Sequence, residues 1–360
     1  QAELIRPYIL TYFRGTNEIS IYDTKNRRPF LKKTTQHGLQ LNDIRVGGKI
    51  LILGRQYDVV DYADDATRNK MATSQEHTYA MLKPGFHNQL GNALDRIYQA
   101  GLSVVQLRMG LMTRETAAKF YAEHQGKPFY ETLVQYMTSG PIVAMELVGK
   151  GAIAKWRELL GPTNLDNAKR DAPRSLRALY ARSTTENFAH GSDSPTSASR
   201  EIGIIFGNKA IELEFPDEQS TLALIKPHAI TDKNAGRIIN DIVAQGFQIT
   251  GAVMATLDLP SATEFLEVYR GVVSDYQDSV NQLASGSCLA IGVSRNDAHG
   301  ALRQLCGPRD ASIAKLVQPD SLRAKYGTTV VKNAIHCTDL DTDVSLEIEY
   351  FFSLLDDYQC

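Results

Sequence analysis

The sequence predicts an α+β fold, with two tandem β-α-β-β-α-β units behind a small β-rich segment. Three observations carry this expectation. The chain repeats itself at a nearly constant offset, each repeat alternates strand and helix signals, and residues 1 to 65 hold only short β-rich runs broken by turns. Its 360 residues also exceed the roughly 250 to 300 at which one hydrophobic core stops growing, so several domains are expected on size alone.

The repeat comes first because it decides the architecture. Thr78-Tyr-Ala-Met-Leu-Lys83-Pro84 recurs as Thr221-Leu-Ala-Leu-Ile-Lys226-Pro227, and Ser139-Gly140-Pro141 recurs as Ser285-Gly286-Ser287. Arg157-Glu-Leu-Leu-Gly161-Pro162 matches Arg303-Gln-Leu-Cys-Gly307-Pro308, Ser175-Leu-Arg177 matches Ser321-Leu-Arg323, and Asn187-Phe-Ala-His190 matches Asn333-Ala-Ile-His336. These blocks place one domain at 1–70, a first unit at 77–206 and a second at 220–356.

In the leading domain, Ile19 to Tyr22, Leu39 to Leu41, Ile50 to Leu53 and Tyr57 to Tyr62 read as strands between turn signals such as Arg28-Pro29 and Gly47-Gly48. A small sandwich or barrel fits. Ala66 to Gln75 is polar and reads as a linker. In the first unit, Thr78 to Leu82 is an apolar strand, Leu90 to Ala100 a helix stopped by Gly101, and Leu102 to Leu111 an alternating strand. Arg114 to Glu123 and Tyr130 to Met137 follow as helices, Ile142 to Leu147 as a buried strand, and Ala152 to Leu160 as a helix closed by Gly161-Pro162. Beyond an irregular stretch come a short strand, Asn187 to His190, and a helix announced by Asp193-Ser194-Pro195, a cap with proline at the first position. Gly207 to Gln219 joins the units. This order suits the ferredoxin-like split βαβ, an antiparallel sheet with helices on one face.

Composition excludes several classes. Hydrophobic residues at 43% and charged residues at 22% are ordinary for a folded chain and argue against long disorder. No run approaches the roughly 18 to 20 apolar residues that span a bilayer, so no membrane association is expected. The net charge of −2 is too balanced for a dedicated nucleic-acid binder. It is uneven, however: residues 1 to 70 carry 12 basic and 8 acidic groups, net +4, leaving 27 and 33, net −6, for the rest. Lys25, Arg27, Arg28, Lys32 and Lys33 crowd around Pro29-Phe30, which reads as a solvated turn or as a docking surface for an acidic partner. The cysteines Cys288, Cys306, Cys337 and Cys360 form no C-x-x-C pair, so neither a zinc ribbon nor a disulfide framework is written here, and a reducing compartment is the simplest reading.

The two copies test each other for chemistry. Of eight histidines only His190 and His336 coincide, and each is followed eleven residues later by a glutamate, Glu201 or Glu347. Lys83 and Lys226, Arg157 and Arg303, Arg177 and Arg323, and Asn187 and Asn333 also recur. One lysine and two arginines per unit, with no Walker glycine loop and no metal-ligand cluster, describe an anion site built from side chains, and phosphate is the natural anion. A histidine there serves as nucleophile or as general base, and spacing does not choose between them.

His190-Gly191-Ser192-Asp193-Ser194, Lys83-Pro84 and Lys127-Pro128-Phe129 resemble the H-G-S-D-S, K-P and [RK]-P-F motifs of the nucleoside diphosphate kinases. That resemblance implies γ-phosphoryl transfer between nucleoside tri- and diphosphates through a phosphohistidine at His190, with Mg²⁺ accompanying the nucleotide. Tyr121 and Glu201 would hold the imidazole, and Ser192 would steady the phosphorylated state. Arg157, Thr163 and Arg177 would hold phosphates, Lys83 and Asn187 would reach ribose and phosphate, and Phe129 would stack on the base. The second unit keeps Lys226, Tyr269, Arg303, Arg323, Asn333, His336 and Glu347 but replaces the P-F pair by Ser274-Asp275-Tyr276-Gln277-Asp278 and Thr163-Asn164 by Arg309-Asp310. It is therefore expected to be weak or inactive. The leading segment is similar to the DM-type domain that precedes tandem kinase units in a ciliary branch of the family. This implies tubulin and other axonemal proteins as partners, and residence in the cytoplasm, the cytoskeleton and the cilium axoneme, with basal body or centrosome as further places. The competing reading is a non-catalytic microtubule protein that keeps the kinase fold as a rigid block.

Overall fold

The computed structural model describes residues 6–354 except 37, 38, 40, 42, 43, 45, 47, 48, 208, 209, 215 and 218. The Gly47-Gly48 turn signal and Cys360 lie outside the described residues. The chain divides into two compact bodies, one made of residues 1–71 with Thr256–Gly286, the other of Ala72–Ala255 with Ser287–Cys360. The segment Thr256–Gly286, which carries the helices Leu259–Phe265 and Tyr276–Leu283, thus groups with the leading segment although it is part of the second repeat in sequence.

In the first body, β1 (Tyr8–Phe13), β2 (Glu18–Asp23) and β3 (Arg28–Thr35) form an antiparallel sheet, and β4 (Lys49–Ile52) pairs with β5 (Arg55–Asp58). Alternation explains the core: Ile19 and Ile21 of β2 and Ile50 and Ile52 of β4 are buried together with Leu39. Arg28-Pro29, read from sequence as a turn, opens β3 instead, and Leu39 to Leu41 forms no strand among its described residues. Proline is tolerated there because β3 is an edge strand, where its missing N–H takes no bond from the ladder. Of the basic cluster, Lys25 and Arg27 form the tip of the β2–β3 hairpin and Arg28, Lys32 and Lys33 follow along β3; at the tip Asp23 Oδ1 accepts from Asn26 N at 2.9 Å and Arg27 takes φ 49°. Ala66 to Gln75, expected as a linker, is largely the helix Asp65–Ser74, which Asp64 caps by accepting from Thr67 N.

The second body holds β6 (Glu76–Leu82), β7 (Ser103–Met112), β8 (Ile142–Gly149), β9 (Ala189–Gly191), β10 (Ile211–Leu213), β11 (Ser220–Ile225), β12 (Gln248–Thr256), β13 (Ser287–Ser294) and β14 (Ile335–Cys337). They make one sheet in the order β14-β11-β13-β12-β7-β8-β6-β9, with β10 beside β7. Each half reads the same way outward from the middle, so the two repeats meet edge to edge at the antiparallel pair Val253 and Arg108. The helices Leu90–Gln99 and Ala235–Ala244 cross beside that seam. Gly91 and Gly236 set their approach: a Cβ on Gly91 would come within 2.8 Å of Gly236 O, and one on Gly236 within 2.7 Å of Gly91 O. Asp95 Oδ2 accepts from Asn240 Nδ2 at 3.2 Å, and Asn88 Oδ1 from Ile249 N at 2.8 Å.

Helices cover both faces of the sheet, not one as expected. Leu82, Val143, Met145 and Leu147 pack under Leu90–Gln99 and Ala152–Leu160, while Tyr79, Met81, Ile142 and Ala144 pack under Arg114–Phe120, Tyr130–Met137 and Pro195–Phe206. The strands β6 and β8 are apolar at successive positions, which is what burial on both faces requires. The stretch read as irregular contains the helices Leu165–Asp171 and Leu176–Tyr180, capped by Asn164 and Ser175. The connector after Gly207 contributes β10.

Candidate active site

His190 sits in the middle of β9, opposite Met81 at the sheet edge. The strand is only three residues long because of the turn before it. Phe188 has φ 79°, and Ala189 N donates back to Asn187 O at 3.0 Å, closing a γ-turn. A bulky residue in that region costs of order 1–3 kcal/mol. Packing holds it there: Phe188 is fully buried with ring contacts to Phe86 and Tyr180, and its carbonyl accepts from Lys83 N at 2.9 Å. The second repeat has the same turn, with Ala334 at φ 70° and Ile335 N donating to Asn333 O at 2.9 Å. Trp156 anchors the strand from the adjacent helix by donating Nε1–H to His190 O at 3.0 Å.

The imidazole is oriented by a carboxylate. His190 Nε2 lies 3.0 Å from Glu201 Oε2, and Ser192 Oγ donates to the same oxygen at 2.8 Å while accepting from Tyr79 N at 3.1 Å. A carboxylate only accepts, so Nε2 carries the proton and Nδ1 keeps its lone pair. Phe120, Tyr79 and Tyr121 surround the ring at centroid distances of 5.2, 6.0 and 6.4 Å. Tyr121 therefore contributes its ring edge rather than its hydroxyl, which is buried without a hydrogen-bond partner. Ser192 is fully buried, and its bond to Glu201 helps position the carboxylate.

Two cations reach the segment that leads into this ring. Arg177 donates to Gly161 O at 2.7 Å, to Ala189 O at 3.0 Å and to Thr163 Oγ1 at 3.4 Å. Lys83, buried, donates to Thr185 O at 3.0 Å. Burial, then the Arg177 guanidinium, lowers the Lys83 amine to about 7. Burial, then Arg157, lowers Arg177 to about 10. Arg157 and Thr163 are exposed at the rim, and Asn187 is buried with its Oδ1 unpaired. Phe129 is half exposed at the start of the helix Tyr130–Met137, its ring 5.6 Å from that of His124. Sequence reasoning missed Trp156, Tyr79 and Phe120, whose only signal was an ordinary apolar pattern.

Six of the second-repeat candidates lie in the second body, and Tyr269, ending the 3-10 turn Glu267–Tyr269, belongs to the first. His336 Nε2 lies 2.9 Å from Glu347 Oε2, which also accepts from Thr338 Oγ1 at 2.8 Å, so Thr338 stands in for Ser192. A hydroxyl two residues after each histidine was the available signal. Part of the surroundings is kept: Lys226 Nζ donates to Val331 O at 3.3 Å and Arg323 to Gly307 O at 2.8 Å, as Lys83 and Arg177 do to Thr185 O and Gly161 O. What differs is that Arg303 pairs with the Asp339 carboxylate and Asn333 Nδ2 donates to Arg309 O at 3.0 Å. The His336 side chain is 10% exposed against 24% for His190.

Among the described residues no group of three His, Cys, Asp or Glu side chains is placed to hold a metal ion, and no helix is long and apolar enough to cross a membrane. A model of the family described as nucleoside diphosphate kinase matches residues 76–211 and again 219–356. Nucleoside diphosphate kinase homolog 7 of Rattus norvegicus is 39% identical over 360 residues, covering 99% of this chain and 91% of the relative. The nucleoside diphosphate kinase of Deinococcus radiodurans is 48% identical over 135 residues, 37% of this chain and 96% of the relative. The solved nucleoside diphosphate kinase of Aquifex aeolicus is 41% identical, covering 38% of this chain and 99% of that one, with a TM-score of 0.37. Matched twice along its length and across nearly all of its residues, the chain belongs to the nucleoside diphosphate kinase family.

Proposed function

We propose that the first repeat is a working phosphotransferase in which His190 Nδ1 takes the γ-phosphoryl group of a nucleoside triphosphate and passes it to a nucleoside diphosphate, while the second repeat is a weak or inactive copy. The observation that carries this reading is the His190–Glu201–Ser192 chain together with the cations Lys83, Arg177 and Arg157: burial, then Arg177, lowers the proton affinity of Lys83, and burial, then Arg157, lowers that of Arg177. An anion between them relieves that repulsion. Glu201 holds the Nε2 proton and stabilises the positive charge on the ring as Nδ1 attacks in line. The P–O bond to the leaving diphosphate breaks as the P–N bond forms, and Arg177 and Lys83 offset charge on the transferring and leaving oxygens. Mg²⁺ would enter with the nucleotide as part of the substrate and offset phosphate charge, because hard divalent ions are commonly held by phosphates plus few protein oxygens. Phe129 offers an exposed ring face, which reads any base alike. The test is incubation with γ-labelled nucleoside triphosphate and mapping of the acid-labile label. Its appearance on the His190 peptide supports the reading, and its absence overturns it.

Lys83 gives the site a pH signature. With its amine lowered to about 7, raising the pH through 7 empties the proton, while bound phosphates favour the charged form. Nucleotide binding at pH 8.5 is expected to take up about one proton, and at pH 6 only about 0.1, from calorimetry in two buffers of different ionisation enthalpy. Lys83→Arg should abolish the difference. Equal uptake at both pH values would mean that Lys83 is already charged.

Residence on ciliary microtubules is proposed for the leading body, whose hairpin exposes Lys25, Arg27, Arg28 and Lys32, whereas Lys33 is paired with Glu18 at 2.7 Å. Reversing those four charges to glutamate is expected to weaken binding to microtubules by roughly tenfold at low salt, fading as salt rises, with labelling of His190 unchanged. Unchanged sedimentation with microtubules at low salt would remove the hairpin from the interface.

A further inference from the structure

The first repeat closes the space between the helix Ala152–Leu160 and β9 with Leu160, Gly191 and Trp156. The second repeat carries Cys306, Cys337 and Leu302 at the equivalent places. The three changes are physically linked. A Cβ on Gly191 would come within 2.5 Å of Trp156 Cδ1, so a side chain at that strand position requires loss of the indole. Cys306 ends the helix Ala298–Cys306 and Cys337 ends β14, and both are buried. The two thiols interact, each shifting the other, and Arg323 Nη2 donates to Cys337 Sγ at 3.6 Å.

That setting differs from that of an ordinary buried thiol, which is usually inert. The hydrogen bond from Cys306, assisted by Arg323, His336 and Arg303, draws the Cys337 thiol below its ordinary value against the opposing effect of burial. The same bond, then burial, pushes Cys306 up. By contrast Cys288 donates to Ala255 O at 3.3 Å, and burial pushes it up to about 12.

We propose that Cys306 and Cys337 form a reversible disulfide, making the anion cradle of the second repeat a site of thiol oxidation. With hydrogen peroxide as oxidant, the Cys337 thiolate attacks one oxygen, an S–O bond forms, the O–O bond breaks, and hydroxide leaves to become water. Cys306 then loses its proton and displaces hydroxide from the Cys337 sulfur, forming the S–S bond. Two thiols and one peroxide give a disulfide and two waters, and a dithiol reverses the step. Cys337 loses its negative charge in the process, so Arg323 loses that partner. The bond also ties the helix that carries Arg303 to the strand that carries His336.

The experiment uses the full chain with Cys360→Ser, exposed to hydrogen peroxide, then denatured, alkylated and mapped by mass spectrometry. Two of the three remaining thiols are expected to resist alkylation, the Cys306 and Cys337 peptides to appear joined with the loss of two hydrogens, and dithiothreitol to restore both. Cys306→Leu, which installs the first repeat's residue, should leave Cys337 unlinked and, without the hydrogen bond that activates it, slower to react with peroxide. Full alkylation of both thiols after a peroxide dose that consumes a free thiol control overturns the proposal, as does sulfinic acid at Cys337 of the unsubstituted pair or linkage of either cysteine to Cys288.

Discussion

His190→Ala is expected to abolish acid-labile labelling from γ-labelled nucleoside triphosphate and to lower kcat for phosphoryl exchange by at least ~10³-fold, since removal of a covalent nucleophile leaves only binding and electrostatics. The expectation rests on geometry: His190 is the more open of the two histidines, its tautomer is fixed by Glu201, and Arg177 is held on the carbonyl of the adjacent Ala189. His336 has an equivalent carboxylate, but Arg303 beside it is paired with Asp339. His336→Ala should therefore leave labelling nearly unchanged. Label that survives His190→Ala and disappears with His336→Ala would assign the chemistry to the other repeat.

Trp156→Ala should be the most destabilising single truncation near the site, costing about 3–5 kcal/mol of unfolding free energy by the usual range for large buried aromatics. The indole is fully buried, and its N–H satisfies the carbonyl of His190, so truncation opens a cavity and orphans an acceptor in one change. Trp156→Phe keeps much of the volume and should cost less, roughly 1–2 kcal/mol, chiefly through the lost hydrogen bond. Both variants free β9 from its helix, so phosphohistidine formation should fall even where the protein remains folded. Urea midpoints and labelling rates measured together check this. A Trp156→Ala protein with an unshifted midpoint would mean that the pocket refills.

Much of the architecture was legible because duplication supplied a second reading of each element. Tyr130–Met137 and Ala152–Leu160 follow from helical spacing with a glycine or small-residue stop, and the Ser194 cap with Pro195 marks the last helix of the first repeat. What failed was local. Asp65–Ser74 is polar around its circumference, so periodicity could not announce it. The helices on the second face were seen, but which face they cover is not encoded in strands that are apolar throughout. At the site, the repeated polar residues pointed to His190, Glu201, Arg177 and Lys83, which the structure brings together. The γ-turn at Phe188 was invisible, because nothing in a phenylalanine announces a positive φ; the fold imposes it through burial on every side.

The seam at β7 and β12 has an evolutionary consequence. In a family member made of one repeat, pairing of two such edges would be an association between separate chains, lost on dilution and disturbed symmetrically by any substitution. Here both edges belong to one polypeptide, so the contact is intramolecular and independent of protein concentration. Selection on the second repeat can then act on its seam and its catalytic cleft separately. Gly236 and Asn240 must keep fitting Gly91 and Asp95, whereas the lining around His336 is free to drift or to acquire new chemistry, because the first copy no longer depends on its partner for anything but shape.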